Sequence, residues 1–117
     1  MKLIQCVPNF SEGRRLDVID KIIAGIQSAG VTLLDANPDA DHNRVVVTFV
    51  GEPEQVLEAA FRGVKLASEL IDMEQHTGEH PRLGATDVIP FVPLTGATMT
   101  DCIALAEALG EKIAREL

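Results

Sequence analysis

The chain has 117 residues, 46% of them hydrophobic, which suits one small domain with a real core and excludes a disordered chain. A formal net charge of -8, from 18 acidic and 10 basic residues, argues against a general nucleic-acid-binding role, and the lack of Trp and Tyr removes the usual stacking platforms. No apolar run is long enough to span a bilayer, and the N-terminus leads into a strand pattern cut short by Pro8 and Asn9 rather than a signal peptide, so a cytoplasmic location is expected.

The elements follow in chain order. Residues 3–7 are short and apolar and predict a first strand. Pro8 to Gly13, P-N-F-S-E-G, reads as a turn-rich loop. Leu16, Ile19, Ile22, Ile23 and Ile26 recur at helical spacing, and Gly30 ends that helix. Residues 31–34 predict a second strand, residues 35–43 a polar loop, and residues 44–50 a third strand closed by Gly51. Pro53, flanked by Glu52 and Glu54, marks the first turn of a second helix. Its apolar face carries Val56, Leu57, Ala60, Phe61, Val64, Ala67, Leu70 and Ile71. Residues 88–92 predict a fourth strand. Thr98 and Asp101 form an N-cap pair for a last helix with Ile103, Leu105, Ala106, Leu109, Ile113 and Leu117 on its apolar face. The order β-α-β-β-α-β-α predicts a single α+β domain over residues 1–117, a ferredoxin-like β-α-β-β-α-β sandwich with an additional C-terminal helix.

One stretch concentrates chemistry. Residues 76–93 read H-T-G-E-H-P-R-L-G-A-T-D-V-I-P-F-V-P, a polar loop leading into an apolar strand. Pro81 fixes one backbone angle and biases His80 towards an extended conformation. Gly78 and Gly84 permit turns that other residues resist. Glu79, His80 and Arg82 therefore sit among conformational locks, as expected of a preorganised site. A histidine titrating near neutrality can take and return a proton, and His80 is the candidate catalytic residue.

Other readings carry less. His76 and His80 have the i, i+4 spacing of a helical metal pair. Gly78 and Pro81 oppose a continuous helix there, and Thr77 stands where a zincin needs Glu, so no metal is expected. Asp39, Asp41 and Asn43 imitate the start of a calcium loop, but Arg44 and Val50 occupy the positions that need Gly and Glu. No phosphate-cradling glycine motif is present. Cys6 and Cys102 lack metal-ligand spacing and read as reduced packing residues. Turn chemistry alone would also account for Asn9, Ser11 and Glu12, and surface ion pairs for Arg44 and Arg82. His42 could line a site or cap its turn.

Three motifs together, C-V-P-N-F-S-E-G at 6–13, D-H-N-R at 41–44 with T-F-V-G at 48–51, and G-E-H-P-R-L-G-A-T-D-V-I-P-F-V-P at 78–93, resemble the N-terminal subdomain of glutamate formimidoyltransferase. This is the folate enzyme of histidine breakdown, fused in animals to a cyclodeaminase. The resemblance spans essentially the whole chain. It implies transfer of a formimino group from N-formimino-L-glutamate to N5 of tetrahydrofolate, a co-substrate, with no metal. The family histidine falls on His80. The resemblance also implies two ferredoxin-like subdomains facing each other with substrates in the groove between them, usually in a dimer. The implied partners are a second copy, a C-terminal subdomain, or both. Animal members of the family it resembles read Asp-Val-Asp where this chain has Asp35-Ala36-Asn37; Asn37 can hydrogen-bond but cannot act as a base, so the role of the second aspartate is expected to pass to Asp35, Asp39 or Asp41. The substrate-binding candidates are Asn9, Ser11, Glu12, Asn37, His42, Asn43, Arg44, Glu79 and Arg82. The competing expectation is a non-enzymatic module that binds a small anionic ligand or a partner chain.

Overall fold

The computed structural model of the chain describes residues 1–71 and 85–117. Among these residues the order is β1 (Ile4–Cys6), β2 (Asn9–Phe10), α1 (Leu16–Gln27), β3 (Thr32–Asp39), β4 (Arg44–Gly51), α2 (Pro53–Leu70), β5 (Thr86–Val88), β6 (Phe91–Pro93) and α3 (Met99–Glu116).

The short strands join into longer ones. β1 and β2 both pair antiparallel with β4 in one unbroken register, from Ile4 opposite Gly51 to Phe10 opposite Val45. Pro8, between them, has no N–H to donate, yet its carbonyl accepts the Val47 N–H at 3.1 Å. Asn9 and Phe10, expected in a turn-rich loop, thus continue the first strand. On the other side, β6 pairs with β1 and β5 with β2, and the Val7 N–H reaches the Pro90 carbonyl at 3.1 Å. The predicted fourth strand begins earlier, ends later and is interrupted at residues 89–90. The sheet runs β5/β6, β1/β2, β4, β3, all antiparallel. It is an α+β architecture compatible with a ferredoxin-like sandwich.

β3 departs most from expectation. Residues 35–39, expected to be loop, form its second half. Asp, Asn and Pro disfavour strands, but β4 is nearly all β-branched or aromatic and supplies a complete ladder to pair with. Leu33 lies opposite Phe49 and Asp35 opposite Thr48, so Leu34 is an extra residue, a bulge. After it, Asp35, Asn37 and Asp39 share a face with Thr48, Val46 and Arg44. Val47 directs its N–H to the Pro8 carbonyl, so its partner Ala36 and, two residues on, Pro38 turn their backbone groups outwards at this edge. Pro38 has no N–H, and the Ala36 N–H is taken by Asp35 Oδ1 at 2.9 Å. That edge offers few donors to another strand.

Burial along β1, β2 and β4 alternates residue by residue. Ile4, Cys6, Phe10, Val45, Val47 and Phe49 are fully buried on one face, packed with Val18, Ile19, Ile22 and Ile26 of α1 and Val56, Ala60 and Phe61 of α2. Burial pushes the Cys6 and Cys102 thiols up, so both stay protonated packing groups. α3 adds Cys102, Leu105 and Leu109. Its start is capped as the sequence predicts: Thr98 Oγ1 accepts the Asp101 N–H at 3.2 Å, and Asp101 Oδ2 accepts the Thr98 N–H at 2.9 Å. Leu16, Ile103 and Leu117, expected on apolar stripes, are exposed. They lie at or near helix ends, or on a flank that no described element covers. Glu58 ties α2 to α3 through Lys112 at 3.0 Å, and it also binds Arg62 at 2.9 Å.

The other face of the sheet has no helix over it among the described residues. It presents Val7, Asn9, Val46, Thr48 and Val50, with Val88 and Val92 the most exposed of its valines.

Candidate functional site

Of the expected site residues, Asn9, Asn37 and Arg44 lie on the open face. Asn9 and Asn37 both lie opposite Val46, one on each side. Two strand spacings therefore separate their backbones, roughly 10 Å. One register step along, Arg44 lies opposite Asp39. A depression of about 440 Å³ opens here, lined by Asn37, Pro38, Asp39, Ala40, Asp41, Arg44 and Val46. Carboxylates and one guanidinium thus share a shallow basin, a pattern suited to a ligand carrying both a cationic and an anionic group.

Local chemistry fixes the basin's rim. Asp39 Oδ1 accepts the N–H groups of Asp41 (3.1 Å) and His42 (3.2 Å), an Asx turn that shapes the β3–β4 hairpin. Asp39 Oδ2 meets His42 Nδ1 at 2.7 Å. The His42 ring and then the His42 backbone N–H hold the Asp39 carboxyl below its ordinary value, so it stays ionised. Asn37 Nδ2 donates to Asp35 Oδ2 at 2.7 Å, fixing that amide on the open face. The Arg44 guanidinium makes no hydrogen bond or ion pair with the described residues, which leaves it available to a carboxylate.

Other candidates are engaged in holding the fold. Asn43 is buried and left-handed, with φ +50°, a conformation that Asn tolerates better than most residues. Its Oδ1 accepts the Gly13 N–H at 2.9 Å. Gly13 lies so close to the backbone of Asp39 and Arg44 that a Cβ there would strike both. Ser11 is fully buried, and its backbone N–H donates to the Ala85 carbonyl at 2.8 Å. Glu12 is buried; its carboxylate accepts the N–H groups of Arg14 and Arg15 and, through Oε1, Arg15 Nε at 2.7 Å. Desolvation pushes the Glu12 carboxyl up, but the hydrogen bonds from Arg15 and Arg14 outweigh it, and the net displacement is downwards. Asn9 Nδ2 contacts the Val7 carbonyl at 3.3 Å. Glu79, His80 and Arg82 lie outside the described residues, as does His76.

Sequence reasoning passed over Arg15. Its guanidinium binds Glu12 and also the Leu70 carbonyl at 3.2 Å. The available signal was an acid three residues before a base at a helix start, which is too common to single out.

Fold and site define an α+β half-sandwich with a polar basin on an uncovered sheet face. Residues 3–117 match the formiminotransferase domain, N-terminal subdomain, and the chain belongs to that family. It is 53% identical over 117 residues to a glutamate formimidoyltransferase of Streptococcus pyogenes serotype M1, covering 99% of this chain and 39% of that relative. It is 51% identical to a glutamate formimidoyltransferase of Thermoplasma acidophilum, covering 100% of this chain and 39% of that relative. Against a formimidoyltransferase-cyclodeaminase of Sus scrofa it is 50% identical over 99% of this chain and 22% of that relative. The chain thus spans about two fifths of the bacterial and archaeal relatives' length or less.

Proposed function

We propose that this chain supplies the N-terminal half of a formimidoyltransferase catalytic unit, moving a formimino group from N-formimino-L-glutamate to N5 of tetrahydrofolate in cytoplasmic histidine breakdown. The observation that carries the reading is about 50% identity over the whole chain to proteins named for formimidoyl transfer, together with the G-E-H-P-R segment at 78–82. The sheet is read as ferredoxin-like. Its open face, apolar around the polar basin, is the floor of a groove that a second subdomain or a second copy of the chain roofs.

The chemistry assigns the roles. The N5 amine of tetrahydrofolate attacks the formimino carbon and loses a proton to His80, the general base. The bound formimino group is an amidine, cationic when protonated. Carboxylates favour it, and Asp35, Asp39, Asp41 and Glu79 are the candidates. The tetrahedral adduct then breaks its bond to the glutamate nitrogen, and that nitrogen takes the proton back from His80. Formiminotetrahydrofolate and glutamate leave. Arg44 and Arg82 bind substrate carboxylates. Asn9 and Asn37 orient substrate by hydrogen bonds.

The test is a turnover assay of the chain alone and mixed with the remaining portion of the streptococcal relative, using formiminoglutamate and tetrahydrofolate. Turnover that falls about 10²–10⁴-fold on His80→Ala, with the circular dichroism spectrum unchanged, supports the reading. Near-normal turnover of His80→Ala removes that residue from the mechanism. No turnover from a folded chain under either condition favours the binding module.

A further inference from the structure

Helix α2 ends without a cation of its own. The last carbonyls of a helix lack intrahelical donors and carry partial negative charge. The last turn of α2 contains no basic residue, and Glu69 adds a further negative charge there. The missing cation comes from the start of α1. Arg15 donates from a terminal guanidinium nitrogen to the Leu70 carbonyl at 3.2 Å, while its Nε is held on Glu12 at 2.7 Å. The Glu12 side chain is only 5% exposed, and its carboxylate is further fixed by the Arg14 and Arg15 backbone N–H groups at 3.2 and 3.0 Å. Immediately before it, the Ser11 N–H holds the Ala85 carbonyl at 2.8 Å. Five residues, 11–15, therefore grip both ends of the connection between α2 and β5: Leu70, just before it leaves, and Ala85, where it returns. That connection carries the G-E-H-P-R motif.

We infer that Glu12 and Arg15 are positioning residues for formimino transfer: the Glu12–Arg15–Leu70 relay fixes where the His80-bearing connection starts, as the Ser11–Ala85 bond fixes where it ends. The inference rests on the reading of His80 as the general base. Glu12 then serves the reaction through Arg15 instead of through substrate. The relay also explains why this position is Arg. One guanidinium offers Nε to the carboxylate and a terminal nitrogen to the carbonyl at once. A lysine ammonium is a single point donor and cannot span both.

The test uses the chain in the same assay, with Arg15→Ala, Arg15→Lys and, as a surface control on α2, Arg62→Ala. Amide hydrogen exchange is read on peptides covering residues 66–90 and compared with peptides from α1 and α3. Both Arg15 variants are expected to exchange about fivefold faster in 66–90, with the α3 peptides unchanged. They are expected to lose about tenfold in kcat, as small misplacements of a catalytic group do. KM should stay within about twofold, because no substrate contact is removed. Arg62→Ala should match wild type in both readouts. The proposal is overturned if exchange in 66–90 is unchanged, if it rises equally across all peptides, if kcat is unaffected, or if Arg15→Lys behaves as wild type. If His80→Ala keeps its turnover, the reading of His80 fails, while the exchange comparison still decides whether the relay holds the connection.

Discussion

Thr48 and Phe49 are neighbours in β4 and point to opposite sides of one sheet. Phe49 is fully buried among the side chains of α1 and α2. Thr48 lies opposite Asp35 on the face that no described helix covers. The same strand therefore contributes to two different economies of design: one side is held by volume and apolar burial, the other by charge and hydrogen-bond direction. Residues on the first side set whether the chain folds. Residues on the second can change with smaller effect on folding, and under the proposed function they are the ones that meet substrate.

Substitutions that fall cleanly on one side test this division. The largest effect on stability is expected at Phe49→Ala, about 3–5 kcal/mol from lost burial and the cavity left behind, measured by denaturant unfolding. A loss under about 1 kcal/mol would mean that the covered face is not a close-packed core. Asn43→Ala comes next, at about 1–3 kcal/mol, because it leaves the buried Gly13 N–H without its acceptor and forces alanine into a left-handed backbone. It would show that a residue beside the basin can belong energetically to the fold.

Glu12 gives a pH-dependent version of the same comparison. Its folded-state carboxyl lies below the ordinary value, so the folded state binds fewer protons than the unfolded state as pH falls from that value. Stability from this group is full above about pH 4.5 and is lost as pH falls through the lowered folded value. Glu12→Gln should thus be less stable than wild type at pH 7, with the gap narrowing below about pH 4 in thermal melts. A gap that stays constant with pH would assign the loss to packing alone.

The smallest effect on stability is expected at Arg44→Ala. It should stay within about 0.5 kcal/mol of wild type, since the guanidinium pairs with no described residue. In the turnover assay its KM for the carboxylate-bearing substrates should rise by about tenfold or more, from the loss of a charge-assisted contact. Unchanged KM with unchanged stability would place Arg44 outside the binding surface.

Much of this was legible from residue patterns. Ile19, Ile22 and Ile26 announced α1, Pro53 the start of α2, and Thr98 with Asp101 the start of α3, because those signals act over three or four neighbouring residues. Residues 35–39 were not legible as strand, since Asp35, Asn37, Pro38 and Asp39 individually favour turns. Pairing with β4, five or more residues away in the chain, decided the matter. Asn9 was hidden in the same way by Pro8, which interrupts the donors of a strand without ending it. At the site, Asn37 and Arg44 were legible as polar residues flanking a strand. The grip of Arg15 on Leu70 was not, because the partner is a backbone carbonyl 55 positions away.

The extra residue at Leu34 has a consequence of arithmetic. A strand reads its side chains alternately to one side and the other, so what matters along it is parity. Leu34 changes that parity once, between Leu33, which faces Phe49, and Asp35, which faces Thr48. Removing that one position would turn Asp35, Asn37 and Asp39 towards the helices and Ala36 and Pro38 towards the basin, with the composition of the segment otherwise untouched. Whether a chain of this kind presents acids or an alanine and a proline to the basin is therefore decided by an odd or even count.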